Sequence, residues 1–340
     1  MKLDAAVTVD PGRAPSLAAA LEQAGYDGLW TTETKYDPFL PLGTAAGATS
    51  RLELGTAIAT AFTRSPMVTA VTAWDLQRAS GGRFLLGLGT QVRAHNERRF
   101  SVPFPEAPAR QLRELVLALR HIWGAFQAEH GLSFQGDHYR HDLMTPFFDP
   151  GPIEHPRIPV YLAAVTPTMY RVAGEVADGV HVHPFHTARY LREVAVPALE
   201  AGVERAERSR EDVALAASVF AVVGDAAERA EREAFARLQI AFYGSTKTYQ
   251  PVFEVHGRGD LTDRLRRLMA RGETEEMARE ISDDVLGQFA VYGDTWEQAV
   301  REVGERYEGL LDRVGFYGTC DGLATDAELA EIARCFRSVS

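Results

Sequence analysis

Short apolar runs alternate along the chain with longer segments in which apolar residues recur every three or four positions. The short runs are typical of buried strands and the longer segments of amphipathic helices. This alternation repeats eight times, and polar residues follow most of the strands. The predicted strands are Leu3–Val9, Gly28–Glu33, Leu52–Ile58, Phe84–Gly89, Val160–Ala164, Gly179–His183, Ala214–Val223 and Val314–Tyr317.

Helix-start signals agree with this alternation. Ser65 and Pro66 supply an N-cap and a first-turn proline directly after the third predicted strand. Asp225 and Glu228 have the spacing of a capping box after the seventh strand. These signals place helices between the strands, as a parallel sheet requires.

Eight such βα units predict a (β/α)8 TIM barrel. The rival is a doubly wound open sheet, which more usually has six strands and a G-x-G-x-x-G motif after the first. The chain lacks that motif there, and its nearest glycine pair, Gly87 and Gly89, follows a later strand. Residues 236–290 are irregular and helix-rich. We interpret them as an insertion before the last βα unit of a single barrel domain spanning residues 1–340.

Charge and composition narrow the range of partners. The net charge of −11 and the pI near 5.4 argue against nucleic acid or a membrane surface as a partner. No apolar run approaches the ~20 residues that span a bilayer. The start of the chain lacks the apolar run of a signal peptide, and Cys320 and Cys335 lack metal-ligand spacing, so we expect a cytoplasmic protein with free thiols. An anionic ligand would need local positive charge, which is densest at Arg93, Arg98 and Arg99.

Five motifs in register along this pattern resemble one known family. They read GTAIATAFTRSP, SGGRFLLGLGTQ, RELVLALRHIW, PVYLAA and AGEVADGVHVHPF. They resemble the bacterial-luciferase-like flavin and deazaflavin oxidoreductases, and within them the branch that uses coenzyme F420. The resemblance implies an oxidoreductase that transfers a hydride between the deazaflavin C5 and a small organic substrate. It also implies a homodimer, because relatives commonly form one.

The resemblance further implies that the deazaflavin lies across the carboxyl-terminal mouth of the barrel. A bulge with a non-prolyl cis peptide, matched here to Ala57 and Ile58, would support its central ring. Thr60, just beyond the bulge, would contact the ring or its side chain. The remaining residues assigned to the cofactor lie at two other strand ends: Gly89, Thr90, Gln91, Ala164, Val165 and Thr166. Thr166 directly precedes a helix whose N-terminus suits the phosphodiester of F420.

The candidate acid–base residues match the family pattern less closely than the cofactor motifs do. Glu33 matches an acidic residue that relatives place near the ring carbonyl edge. Where some relatives carry a catalytic His and a catalytic Glu, this chain has Thr34 and Val92. His95 and Asn96 are the best replacements for a polar catalytic pair, since His exchanges protons near neutral pH. The catalytic candidates are therefore His95, Asn96 and Glu33.

Other interpretations remain open from the sequence. The same superfamily includes FMN-dependent monooxygenases, so FMN is the alternative cofactor. Outside redox chemistry, His181 and His183 lie on one face of a strand and suggest a metal-dependent hydrolase, although no further ligand motif is evident. A non-catalytic barrel is a fourth possibility. The aromatic loop Phe134–Phe148 either lines the substrate entrance or packs against the barrel.

Overall fold

A computed structural model describes residues 1–339 of the chain. The strands are β1 (Lys2–Val7), β2 (Gly28–Thr31), β3 (Glu53–Thr56), β4 (Ala59–Thr60), β5 (Phe84–Gly89), β6 (Phe134–Gln135), β7 (Arg140–His141), β8 (Val160–Ala164), β9 (Gly179–Val182), β10 (Ala214–Val223), β11 (Ala290–Gly293) and β12 (Arg313–Phe316). The helices are α1 (Ala14–Ala24), α2 (Leu40–Ala46), α3 (Pro66–Ala79), α4 (Arg93–Arg98), α5 (Pro108–Phe126), α6 (Pro167–Val176), α7 (Ala188–Tyr190), α8 (Val196–Arg205), α9 (Ala226–Gly244), α10 (Gln250–Glu254), α11 (Asp260–Arg271), α12 (Thr274–Arg279), α13 (Asp283–Phe289), α14 (Trp296–Arg306) and α15 (Asp326–Val339).

Eight of the described strands close into a parallel ring. Their order around the ring is β1, β2, β3, β5, β8, β9, β10, β12 and back to β1. Two registers illustrate the closure: β10 pairs with β9 through Ala216 and His181, and β12 pairs with β1 through Val314 and Leu3. All eight predicted strands take part, which confirms the (β/α)8 barrel and excludes the open sheet.

Helix starts follow the predicted signals. The Ser65 hydroxyl accepts a hydrogen bond from the backbone N–H of Val68, and Pro66 occupies the first position of α3. Asp225 and Glu228 form a reciprocal capping box at the start of α9. Local sequence therefore fixes where these helices leave the strand ends. Within residues 1–339, every helix is too short or too polar to cross a lipid bilayer.

The core has two separate parts. The larger part lies between the strands and the surrounding helices, as expected for strands buried on both faces. The smaller part joins Trp30, Leu85, Tyr161 and Ala216, which come from four different strands of the ring. Residues of four ring strands touch only inside the barrel, so this cluster fills its interior. Gly55 belongs to the same arrangement, because a Cβ there would lie 2.2 Å from the Trp30 ring.

A buried charge cluster lies beside this aromatic filling. Arg313 donates to both carboxylate oxygens of Asp4, at 2.6 and 2.7 Å, and to Glu53 at 2.5 Å. The Arg313 guanidinium also lies 5.2 Å from the centre of the Trp30 ring. Burial opposes the charge of Arg313, but the Asp4 and Glu53 carboxylates outweigh it and raise the pKa of the guanidinium. This cluster joins β1, β3 and β12 across the closure of the ring.

The structure also contains strands that the pattern did not predict. Residues 236–290 are helical, as expected, and α9 packs against α11, α12 and α13. They are followed by β11, which pairs with the last four residues of β10 and lies outside the ring. In the aromatic loop, β6 and β7 form a two-stranded hairpin. Strands of two to four residues are too short to show a detectable period, and β11 is defined by its pairing with a segment 70 residues earlier.

The buried charge cluster generates a stability prediction. We expect Arg313→Met to lower the free energy of unfolding by about 3–5 kcal/mol, because it leaves the buried Asp4 carboxylate unpaired. Lys2→Met removes another ion pair of Glu53, but Lys2 is exposed, so its loss should stay below about 1 kcal/mol. Urea unfolding of the two variants measures the difference. Equal losses would show that the buried position of Arg313 contributes nothing.

Candidate functional site

The carboxyl ends of the eight ring strands form the mouth of the barrel. The chain bulges between β3 and β4, and the Ala57–Ile58 peptide bond there is cis, which confirms the prediction for these two residues. Gly89 lies against the bulge at the end of β5, because a Cβ at this position would come within 2.8 Å of the Ile58 side chain. The same Cβ would lie 3.2 Å from Ala163 on β8. The mouth is therefore lined by small residues over β3, β5 and β8.

A carboxylate–guanidinium clamp holds the bulge. Oε2 of Glu33 accepts the backbone N–H of Thr60 at 2.6 Å and Nη1 of Arg64 at 3.0 Å. Its Oε1 accepts Nη2 of Arg64 at 3.0 Å, and Nη2 also donates to Asp37. Burial disfavours the Arg64 charge, but the two carboxylates outweigh it and raise its pKa. Both oxygens of Glu33 are thus used to anchor the bulge, and its catalytic role stays a prediction.

His95 and Asn96 do not form a pair. Asn96 is fully buried, and its amide donates to the backbone carbonyls of Thr90 and Val92 at 2.9 and 3.2 Å. The His95 side chain is exposed on α4. Asn96 therefore shapes the tip after β5, where Gln91 adopts a left-handed φ of 54°. The two residues have different surroundings, although they are adjacent in sequence.

The tip after β8 is the start of α6. The Thr166 hydroxyl caps this helix by accepting the backbone N–H of Met169. The Val165 carbonyl accepts the Tyr190 hydroxyl at 2.5 Å, and Ala164 is buried. The predicted cofactor residues on β8 therefore lie at a helix N-terminus whose position is fixed by Tyr190.

An aromatic wall on the opposite half of the mouth was missed by the sequence reasoning. The His183 ring lies 4.6 Å from Tyr243 and 5.0 Å from Tyr249, measured between centroids. The hydroxyls of Tyr243 and Tyr317 are 2.5 Å apart. Tyr243 and Tyr249 come from α9 and the turn after it, so the helical insertion builds this wall. Their sequence, AFYGSTKTYQ, is tyrosine-rich, but nothing in it says where the helix lies.

His181 on β9 and His183 directly after it have neighbours that differ from those of a metal centre. His181 packs edge-on against Trp30 at 4.6 Å and lies 5.2 Å from Tyr161. Nδ1 of His183 accepts the backbone N–H of Phe185. Residues 1–339 contain no group of three or more His, Cys, Asp or Glu side chains arranged to hold a metal ion. The hydrolase alternative thus gains no further ligand from the fold.

The aromatic loop packs against α5. Tyr139 accepts a hydrogen bond from Gln111 on α5, and the Phe147 side chain is 90% exposed. Beyond it, the carbonyls of Pro150 and Gly151 bind Arg78 and Trp74 in the second half of α3. The loop therefore follows the outer helices, which corresponds to the second of the two expectations.

Comparison with known proteins gives a consistent assignment. The model of the luciferase-like monooxygenase family matches residues 3–313. An uncharacterized protein of Mycobacterium tuberculosis is 50% identical over 317 residues, covering 92% of each chain. A putative coenzyme F420-dependent oxidoreductase of the same organism is 30% identical over 303 residues, covering 84% of each chain.

A solved structure shows the same fold. It is the coenzyme F420-dependent tetrahydromethanopterin reductase from Methanopyrus kandleri, with a TM-score of 0.77 and 23% identity. The superposition covers 98% of this chain and 96% of the reductase. At this level of identity the likeness concerns the barrel and its closure.

The half-buried histidines His181 and His183 generate a pH prediction. Burial lowers the pKa of both His181 and His183 to about 3, whereas histidine in an unfolded chain titrates near 6.5. Between these values the unfolded state binds more protons, so the free energy of unfolding falls as the pH falls from 7 towards 5. Each imidazole contributes up to about 1.4 kcal/mol per pH unit below 6.5. Between pH 7 and pH 5.5, the free energy of unfolding of the unsubstituted protein should fall by about 1 kcal/mol more than that of His183→Gln. Urea unfolding at both pH values measures the two losses. Equal losses of unfolding free energy in the two proteins would contradict a His183 that stays neutral in the folded state.

Proposed function

The chain belongs to the luciferase-like monooxygenase family, and we propose that it is an F420-dependent oxidoreductase that transfers a hydride between the deazaflavin C5 and a small organic substrate. The proposal rests on the putative oxidoreductase of Mycobacterium tuberculosis, which is 30% identical and covers 84% of this chain, because its name specifies coenzyme F420. A deazaflavin supplies a carbon centre that gives or takes a hydride, and the protein supplies binding, orientation and electrostatics.

The residues of the mouth fit a flat ring. Gly89 leaves room for the Ile58 side chain of the bulge, and Ala163 adds only a methyl group beside it. Thr60 has a buried hydroxyl without a hydrogen-bond partner among the described residues, and so does the Oδ1 atom of Asn96. Such atoms next to a strand end are typical of a polar ligand site. These observations support a ring against Ala57–Ile58, bordered by Gly89, Thr90 and Gln91.

The remaining site residues have separate proposed roles. Glu33 and Arg64 hold the bulge and so position the ring, while the start of α6 at Ala164, Val165 and Thr166 receives the phosphodiester through free backbone N–H groups. His95 is a proton donor or acceptor that can approach a substrate, because its side chain is exposed beside the tip after β5. Asn96 holds that tip in place through the carbonyls of Thr90 and Val92.

FMN remains the second candidate cofactor, since the matching family is described as monooxygenases. The two proposals differ in the reacting atom of the ring, because FMN reacts with oxygen when reduced and a deazaflavin exchanges hydride. The bulge and the Glu33 clamp would serve either ring. Direct binding therefore separates them.

We also propose a cytoplasmic homodimer acting on a small molecule. The net charge of −11 disfavours nucleic acid and anionic membranes as partners. Leu143, Phe147 and Phe148 are 79%, 90% and 74% exposed and give an apolar surface for association. Sedimentation equilibrium should give twice the chain mass, and a monomer at micromolar concentration would contradict the dimer.

The cofactor assignment generates a binding prediction. We expect F420 to bind stoichiometrically in a fluorescence titration, and Gly89→Ala to weaken this binding at least about tenfold, because the new methyl group displaces Ile58 at the bulge. Gly47→Ala is the matched control, since a Cβ there meets no atom within 4 Å and its φ is −78°. FMN binding without any response to F420 would reverse the order of the two cofactors.

A further inference from the structure

A cleft opens beside the end of β1. Its volume is about 530 Å³, and it is lined by the loops that follow β1, β2 and β12 and by the start of α1. The lining includes Thr8, Thr34, Lys35, Arg13 and Thr319. The cleft therefore lies at the mouth, but it uses residues to which no role has been assigned above.

Two cations of the cleft lack a carboxylate partner. The chain carries 36 Lys and Arg residues against 47 Asp and Glu residues, and most of the cations form ion pairs. Arg13 and Lys35 have no carboxylate oxygen within 4 Å among residues 1–339, and both are exposed. Arg99, which also lacks an ion pair, reaches the same place and donates to the Thr34 carbonyl. In an acidic protein, unpaired cations converging on one cleft favour an anionic ligand.

Hydroxyl groups and two carboxylates, Asp321 and Asp326, accompany these cations. The hydroxyl oxygens of Thr8 and Thr32 are 2.8 Å apart, and each lies within 3.4 Å of the Thr34 hydroxyl. Oδ1 of Asp321 accepts the backbone N–H of Thr8 at 2.8 Å. Burial raises the pKa of this carboxyl, and the Thr8 N–H and the charge of Lys35 oppose that rise. Asp326 lies in the first turn of α15, where the helix dipole stabilises its charge. The cleft thus offers cations for an acid group and threonine oxygens for neighbouring hydroxyl groups.

The position of the cleft distinguishes it from the start of α6. In the eight-stranded ring, three strands lie between β1 and β8 in either direction, so their ends lie on opposite sides of the mouth. The bulge after β3 lies between them. A cofactor whose ring rests on the bulge and whose phosphodiester reaches α6 extends away from Arg13 and Lys35. The cleft is therefore next to the side of the ring left for a substrate.

We propose that this cleft binds the acid group of the substrate, a carboxylate or a phosphate, through Arg13 and Lys35, with adjacent substrate hydroxyl groups on Thr8 and Thr34. The inference rests on the proposed function, since it assigns the cleft to the substrate of that reaction. It predicts that the substrate is a small hydroxylated acid. The acidic tail of F420 has the same chemistry, and binding measurements separate the two sources.

The first measurement uses the protein without cofactor. Isothermal titration with glycerol 3-phosphate and with glycerate should show saturable binding of at least one of them, whereas glycerol should not bind. Arg13→Gln combined with Lys35→Gln should weaken that binding at least about tenfold, because both charges that hold the anion are removed. Arg267→Gln is the matched control, since Arg267 is an exposed cation on α11 without an ion pair among the described residues. The absence of anion binding, or anion binding that survives the double substitution, would overturn the proposal.

The second measurement uses F420 with the same double variant. Unchanged F420 affinity supports a substrate site, whereas a loss of tenfold or more would assign the cleft to the cofactor tail and overturn the proposal. Failure of the unsubstituted protein to bind F420 refutes the proposed function instead. The titration with small anions does not depend on that result, so the two failures are distinguishable.

Discussion

The ion pair between Arg313 and Asp4 joins the last strand of the barrel to the first. The two residues are 309 positions apart in sequence, and they meet because the parallel ring closes between β12 and β1. Glu53 on β3 and the Trp30 ring complete the surroundings of the guanidinium. A buried charge of this kind is tolerated only with its partners in place, so it specifies closure in one register. Every feature of the mouth depends on that register.

Closure divides the mouth into two unlike halves. At the ends of β3, β5 and β8, Gly89 and Ala163 are small, and the cis bulge at Ala57–Ile58 fits against Gly89. On the opposite half, the helical insertion adds Tyr243 and Tyr249 to His183 and Tyr317. A flat ligand can therefore lie on the small-residue half with its edge towards the aromatic half. The Glu33–Arg64 clamp keeps the bulge in place without using any group of the aromatic wall.

The two unlike halves of the mouth also determine on which side the proposed cofactor and the proposed substrate lie. A cofactor that runs from the bulge to the start of α6 leaves the β1 side of the mouth free, and Arg13 and Lys35 border that side. The departure of Thr34 and Val92 from the acid–base residues of relatives agrees with a substrate recognised by different groups. In this chain Thr34 is a hydroxyl of the cleft, and its carbonyl binds Arg99. Substrate recognition and cofactor support would thus use separate strand ends.

The sequence by itself determined the eight strands, the helix caps at Ser65 and Asp225 and the helix-rich insertion. These features are local, because strand periodicity and capping groups act over a few residues. The cis bond at Ala57–Ile58 was implied by the family resemblance of the surrounding motif, and the structure confirms it. Only the tertiary structure decided that Asn96 is buried while His95 is exposed, that both oxygens of Glu33 bind the bulge, and that Tyr243 and Tyr249 reach the mouth. It also brought Arg13, Lys35 and Thr319 to one cleft and placed β11 beside β10. These outcomes depend on which distant segments meet when the ring closes, and a residue's type does not contain that information.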